Sequence, residues 1–191
     1  METKLDLRIY KTYKALHDAF TEILEHKSFE ELTINELCDK AMIRRATFYK
    51  HFTDKYEYFN FYLSELRESF KEQVSTKTDI SDPVAYSTQM LHEMLLFGRK
   101  HKKILDRMKY SNRMSFLYQS LLEQISLELR YVFISAQKKK PTPELELIIS
   151  FYAGGLINAV FWWLNNPTKL DEDAIAEQIV KLVPLPKELL E

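Results

Sequence analysis

Glycine is scarce in this chain: three among 191 residues, Gly98, Gly154 and Gly155. Proline is little commoner, and its six copies sit mostly at segment ends. So few breakers beside abundant Leu, Glu, Lys and Ala predict a mostly helical chain. No sustained apolar–polar alternation closes on a tight-turn dipeptide, so no sheet is expected. Cysteine is limited to Cys38, which rules out an intrachain disulfide and fits a reducing cytoplasm. One cysteine and five scattered histidines leave no zinc set. "HEML" at His92 opens like a metalloprotease helix but carries Leu96 where the second histidine belongs. Neither a glycine-rich phosphate loop nor a nucleophile elbow occurs. No enzyme, metal or cofactor is therefore expected. The start, "METKLDLRIYK", lacks an apolar signal core. A net charge of −1 gives no general basic excess, so nucleic-acid binding would need a local basic face.

What is present is helical periodicity. Hydrophobic residues at 46% and charged residues at 29% mark a globular chain. Ile9, Tyr13, Leu16, Phe20, Ile23 and Leu24 share one face of a helix over about residues 6–26. "TINE" from Thr33 reads as a capping box, Thr33 accepting from the Glu36 amide and Glu36 reaching back. That short helix ends near Met42, and another runs from Arg45 to His51, with Phe48 and Phe52 anchoring one side. Asp54 is the expected cap of a fourth helix reaching about Thr76. The polar stretch "STKTDISDP" follows, and Asp82–Pro83 opens a fifth helix. A short helix over about 101–109 precedes long ones over about 114–138 and, from Thr142–Pro143, to about Asn165. Asp171 to Val183 forms the ninth. The apolar run Ile148–Leu164 falls just short of the ~18–20 residues that span a bilayer and contains Ser150 and Asn158. It reads as a buried or interfacial helix.

Thr33 to Phe52 thus has the helix–short turn–helix arrangement of DNA readers, whose second helix enters the major groove. With the phenylalanines inward, Arg44, Arg45, Thr47, Tyr49, Lys50 and His51 face outward. Arginine pairs two donors with guanine, and the threonine methyl meets a thymine methyl. Tyr49, Lys50, His51 and Lys55 can donate to phosphates. Met42–Lys55 carries a local charge of +3. Lys4, Arg8, Lys11 and Lys14 can add phosphate contacts. The plain alternative is a solvated charged helix face, the ordinary condition of protein surface.

The segment "FEELTINELCDKAMIRRATFYKHFTDKYEYF" resembles the DNA-binding region of the TetR family of bacterial regulators. "TFYKHF" and the lysine three residues on, Lys55, carry the resemblance, which covers residues 7–66. "FYAGGLINAVFWWLNNPTKLDEDAIAEQIVKLV" is similar to the last two helices of one branch of that family. The resemblance implies an all-α fold with two parts. Residues 7–66 would form a three-helix helix-turn-helix DNA-binding domain, and residues 67–191 a helical ligand-binding and dimerisation domain. It implies a homodimeric cytoplasmic regulator, usually a repressor, bound to a palindromic double-stranded DNA operator and released by a small-molecule effector, with no membrane partner. The implied DNA-binding set is Thr33, Arg44, Arg45, Ala46, Thr47, Tyr49, Lys50, His51 and Lys55. Among these, Thr47, Tyr49, His51 and Lys55 fall on family contact positions, while Arg45, Ala46 and Lys50 occupy variable ones. Two residues depart from the pattern: Met42 replaces the turn glycine and Arg44 the usual Ser or Asn. A left-handed non-glycine costs about 1 kcal/mol, and a lost side-chain cap roughly 0.5–2 kcal/mol. These departures motivate a second reading, a ligand- or protein-binding module on the same scaffold that no longer reads DNA.

Gly154, Gly155, Asn158, Trp162 and Trp163 are the candidate dimer interface, because glycines in an apolar helix permit close approach and tryptophan anchors interfaces. Close packing inside one subunit is the alternative. Phe97, Phe116, Tyr118, Phe133, Phe151 and Tyr152 are candidate pocket residues, with ordinary core as the alternative.

Overall fold

The computed structural model describes residues 2–109, 114–137 and 142–182, with side chains described for 7–107, 115–135 and 142–182. Among the described residues there are nine helices and no strand. They are α1 (Glu2–Leu24), α2 (Ile34–Lys40), α3 (Arg45–His51), α4 (Lys55–Ser75), α5 (Pro83–Lys100), α6 (Lys102–Lys109), α7 (Met114–Gln137), α8 (Pro143–Asn165) and α9 (Glu172–Leu182). The expected ends of the seventh and ninth helices, Lys138 and Val183, lie outside the described residues.

The caps foreseen in the sequence set the helix starts. Thr33 Oγ1 accepts from the Glu36 amide at 3.2 Å. Asp54 Oδ1 accepts from the Tyr56 and Glu57 amides at 2.8 and 2.9 Å. Asp82 takes the Ala85 amide at 2.9 Å, and Thr142 takes that of Leu145 at 3.3 Å. Each bond satisfies an amide that has no partner inside its helix. The box at Thr33 is only half formed. Glu36 Oε1 accepts instead from Lys27 Nζ at 2.7 Å, because that ammonium offers a carboxylate a charge-assisted bond.

The chain divides into two compact units. One comprises Met1–Tyr62 with Lys103–Leu117; the other comprises Leu63–Lys102 with Tyr118–Glu191. Residues on α4 and α7 thus belong to both units. The first unit is built on aromatic side chains. Leu16, Phe20, Phe29, Leu37, Phe48 and Tyr58 are at most 1% exposed. Tyr58 meets Phe20 and Phe52 edge-on, at 5.2 Å in each case. Edge-to-face pairs set the positive ring edge against a negative face, adding to the hydrophobic gain of burial.

The second unit packs by helical stripes. Ile125, Leu129 and Phe133 of α7 meet Leu145, Ile149, Ala153 and Ile157 of α8. Both sets repeat every four residues, so each lies along one face. Leu91 and Leu95 of α5 pack with Trp163 of α8 and with Ile175, Ala176 and Ile179 of α9. Val74, Tyr86, Met90 and Val132 join α4, α5 and α7.

Candidate nucleic-acid interface

Helix α3 is only seven residues long, so its own propensity cannot hold it. Its inner face does: Phe48 is fully buried and Phe52, just past its end, is 5% exposed. The opposite face carries Arg44, Arg45, Ala46, Tyr49 and Lys50, all exposed, with Thr47 half-buried. No hydrogen bond or ion pair engages the Arg44, Arg45 or Lys50 side chains among the described residues. They are cations without an internal counterion, on a helix already held from behind.

The turn before α3 is held by two backbone bonds. The Met42 amide donates to Asp39 O at 3.2 Å and the Ile43 amide to Cys38 O at 3.0 Å. This pair of bonds is the Schellman ending of a helix, which calls for a left-handed residue at the first position beyond the cap. Met42 takes that role at φ 54°. Its side chain is 93% exposed, so the position demands backbone conformation rather than packing. The cost anticipated for a non-glycine is met, yet the turn keeps both bonds. Arg44 caps α3 by its extended backbone only, without a side-chain cap bond.

Two contact candidates have intramolecular partners. His51 is half-buried, and Tyr13 Oη lies 3.2 Å from its Nδ1. With the phenol donating, the imidazole proton sits on Nε2, leaving that nitrogen as a donor. Tyr13 thus touches His51 as well as the ring of Phe52. Lys55 is engaged within the chain. Its Nζ donates to the carbonyls of Phe29, Glu30 and Leu32, each at 2.8 Å. Each ammonium proton has a carbonyl acceptor, so Lys55 ties the α1–α2 loop to the start of α4. Thr33 is exposed, but its hydroxyl serves the α2 cap. On α1, Arg8 and Lys11 are exposed, whereas Lys14 pairs with Asp18 at 2.9 Å. The Lys4 side chain lies outside the described residues.

The second unit holds a cavity of about 70 Å³, whose apolar wall includes Met94, Leu129 and Leu156. Tyr152 lines it, as do Glu128 and Ser87. The other pocket candidates lie elsewhere. Phe116 belongs to the first unit, stacked 6.3 Å from Phe29. Phe151 is 73% exposed. Phe97 packs on Phe70 and His101, Phe133 sits in the α7–α8 core, and Tyr118 packs against that core. Glu128 was missed, although an acid three residues from Ile125 and four from Val132 on an apolar helix was a readable signal.

The candidate dimer residues also divide. Gly155 is exposed, with nothing within 4 Å of where a Cβ would stand, and a Cβ at Gly154 would meet only Tyr118 Oη at 4.0 Å. Asn158 and Trp162 share the outer face of α8 with Leu147 and Phe151. Trp163 points the other way. It is 4% exposed, donates from Nε1 to Leu170 O at 3.1 Å, and lies under the Arg99 guanidinium. Successive helical residues are about 100° apart, so adjacent tryptophans cannot share a face.

A capped short helix, a tight turn and a second short helix with an outward cationic face make a helix-turn-helix arrangement. The family described as "Bacterial regulatory proteins, tetR family" matches residues 16–60. The description "Transcriptional regulator C-terminal region" matches residues 86–184, just over half of the chain. The chain belongs to the TetR family of transcriptional regulators. It is 32% identical over 95 residues to the uncharacterized HTH-type transcriptional regulator YxbF of Bacillus subtilis (strain 168). That match takes 49% of this chain and 24% of the relative, so the chain spans about a quarter of the relative's length. Among solved structures, the dihydroxyacetone kinase operon activator DhaS shares the fold at TM-score 0.59 and 19% identity, with 90% of this chain and 93% of that one covered. RolR, solved in complex with resorcinol, shares it at TM-score 0.58 and 19% identity, covering 97% and 94%.

Proposed function

We propose that this regulator acts in the cytoplasm as a homodimeric repressor of a palindromic operator, and that a small-molecule effector in the second unit releases it. Residues 7–66 would read the DNA, and residues 67–191 would receive the effector and pair the subunits. The observation carrying this reading is the set of three uncommitted cations, Arg44, Arg45 and Lys50, on a helix pinned from behind by Phe48. In the major groove Arg45 and Lys50 would read bases, Ala46 and Thr47 would meet thymine methyls, and Arg44, Tyr49 and His51 Nε2 would meet phosphates.

Pairing is supported by the outer face of α8, where Leu147, Phe151 and Trp162 are 72%, 73% and 55% exposed. Only 28% of the most apolar stretch of α8 is buried. A second copy of the same face would cover it and give Gly155 a purpose that its own subunit does not. Twofold pairing presents two α3 helices to half-sites about one DNA turn apart, ~34 Å, or a multiple of it. The alternative of a module that no longer reads DNA rested partly on Met42, and the intact turn bonds around it weaken that ground.

The test is fluorescence anisotropy on double-stranded DNA from upstream of the chain's own gene, across a salt series. Specific binding is expected, with log Kd changing steeply and linearly with log salt, about 0.9 per phosphate neutralised. Absence of any sequence preference over random DNA would sink the reading, and light scattering on the same sample checks the dimer.

A further inference from the structure

The cavity wall in the second unit is apolar except where Glu128, Ser87 and Tyr152 reach it. Glu128 is 7% exposed. Its Oε1 accepts from Tyr86 Oη at 3.0 Å. Its Oε2 is fully buried and has no hydrogen-bond partner, and the same holds for Ser87 Oγ. A buried carboxylate oxygen without a donor from the protein is expensive, so the position favours a donor supplied by something else.

The groups around Glu128 do not complete it. Tyr86 and Ser87 approach from α5, and Tyr152 lines the same cavity from α8. Arg67 and Lys71 of α4 pull the carboxyl toward its ionised form, while Glu68 opposes them. Lys71 is itself committed: it lies 3.2 Å from Glu68 Oε2 and over the Tyr131 ring. Burial is the largest influence and pushes the Glu128 carboxyl up. What the site lacks is a donor, preferably charged, delivered from the cavity side.

We propose that the cavity takes a small aliphatic amine, its ammonium on Glu128 Oε2 and its alkyl chain against Met94, Leu129 and Leu156. This rests on the reading of the second unit as an effector site. The ammonium would donate one proton to Oε2 and a second to Ser87 Oγ. Cavity size limits the chain: at about 15 Å³ per water-sized position, the space holds roughly five heavy atoms. Alkylammonium ions ionise near the lysine range and are fully charged at neutral pH.

The test is isothermal titration calorimetry of the full chain at neutral pH with n-butylamine, n-butanol and butyrate, which share a four-carbon skeleton. The amine is expected to bind at least about tenfold more tightly than the alcohol, with butyrate weakest. Glu128→Gln keeps the shape and removes the charge, and is expected to bring the amine-to-alcohol ratio close to one. The proposal is overturned if the alcohol or butyrate binds as well as the amine. It is equally overturned if Glu128→Gln leaves the ratio unchanged, or if no probe binds at about 50 mM, the weak end for a ligand this small. Should Glu128→Gln fail to fold, the ratio on the unaltered protein still decides. Anisotropy on operator DNA separates the two readings: an amine that binds without releasing DNA upholds the ligand assignment and overturns effector release.

Discussion

The outer faces of α3 and α8 are both open to solvent, but for opposite chemical reasons. The α3 face shows Arg44, Arg45 and Lys50, which water solvates well. The α8 face shows Leu147, Phe151 and Trp162, which water does not. An exposed cation costs a folded protein almost nothing, so the α3 face can wait for a partner. A contiguous exposed apolar stripe is rare on a free-standing chain and marks an interface. The first face therefore suits an occasional, salt-sensitive partner, and the second a permanent one.

The contrast breaks most severely from behind. Phe48→Ala removes the fully buried ring beneath the cationic face and is expected to cost about 3–5 kcal/mol in urea denaturation. DNA binding should vanish with it while the charges stay in place. Trp162→Ala tests the other face: a loss of roughly 2 kcal/mol or more in dimer affinity by analytical ultracentrifugation is expected, with monomer stability nearly unchanged. Trp163→Ala should do the reverse, because its ring is internal. Arg45→Ala sharpens the comparison at the polar face, where about 1–3 kcal/mol should be lost on the preferred operator and less on random DNA. Met42→Gly is the smallest change. Relief of the left-handed strain at φ 54°, offset by glycine's greater freedom when unfolded, should raise stability by up to about 1 kcal/mol, read as a higher thermal midpoint.

The parts of this molecule legible in its sequence were those decided over three or four residues. The Thr33, Asp54, Asp82 and Thr142 caps, and the Phe48–Phe52 anchor, all belong to that range. What escaped depends on the chain folding back on itself. Nothing local says that the carbonyls of Phe29, Glu30 and Leu32 would converge on Lys55. Nor does anything local say that Phe116, 87 positions away, would return to stack on Phe29. Two other features are readable locally. The 100° step between neighbours already forbade Trp162 and Trp163 a common face. Glu128 stood out as an acid on an apolar stripe.

Lys55 bears on which substitutions its position can accept. An ammonium is a tetrahedral hub whose three protons diverge toward three acceptors, and here each finds a carbonyl at 2.8 Å. A guanidinium holds its donors in one plane and cannot reproduce that tripod. Arginine would keep the charge and lose the joint, while a neutral residue would leave three carbonyls facing one another. Position 55 is thus constrained by the solid geometry of its donors as well as by the sign of its charge.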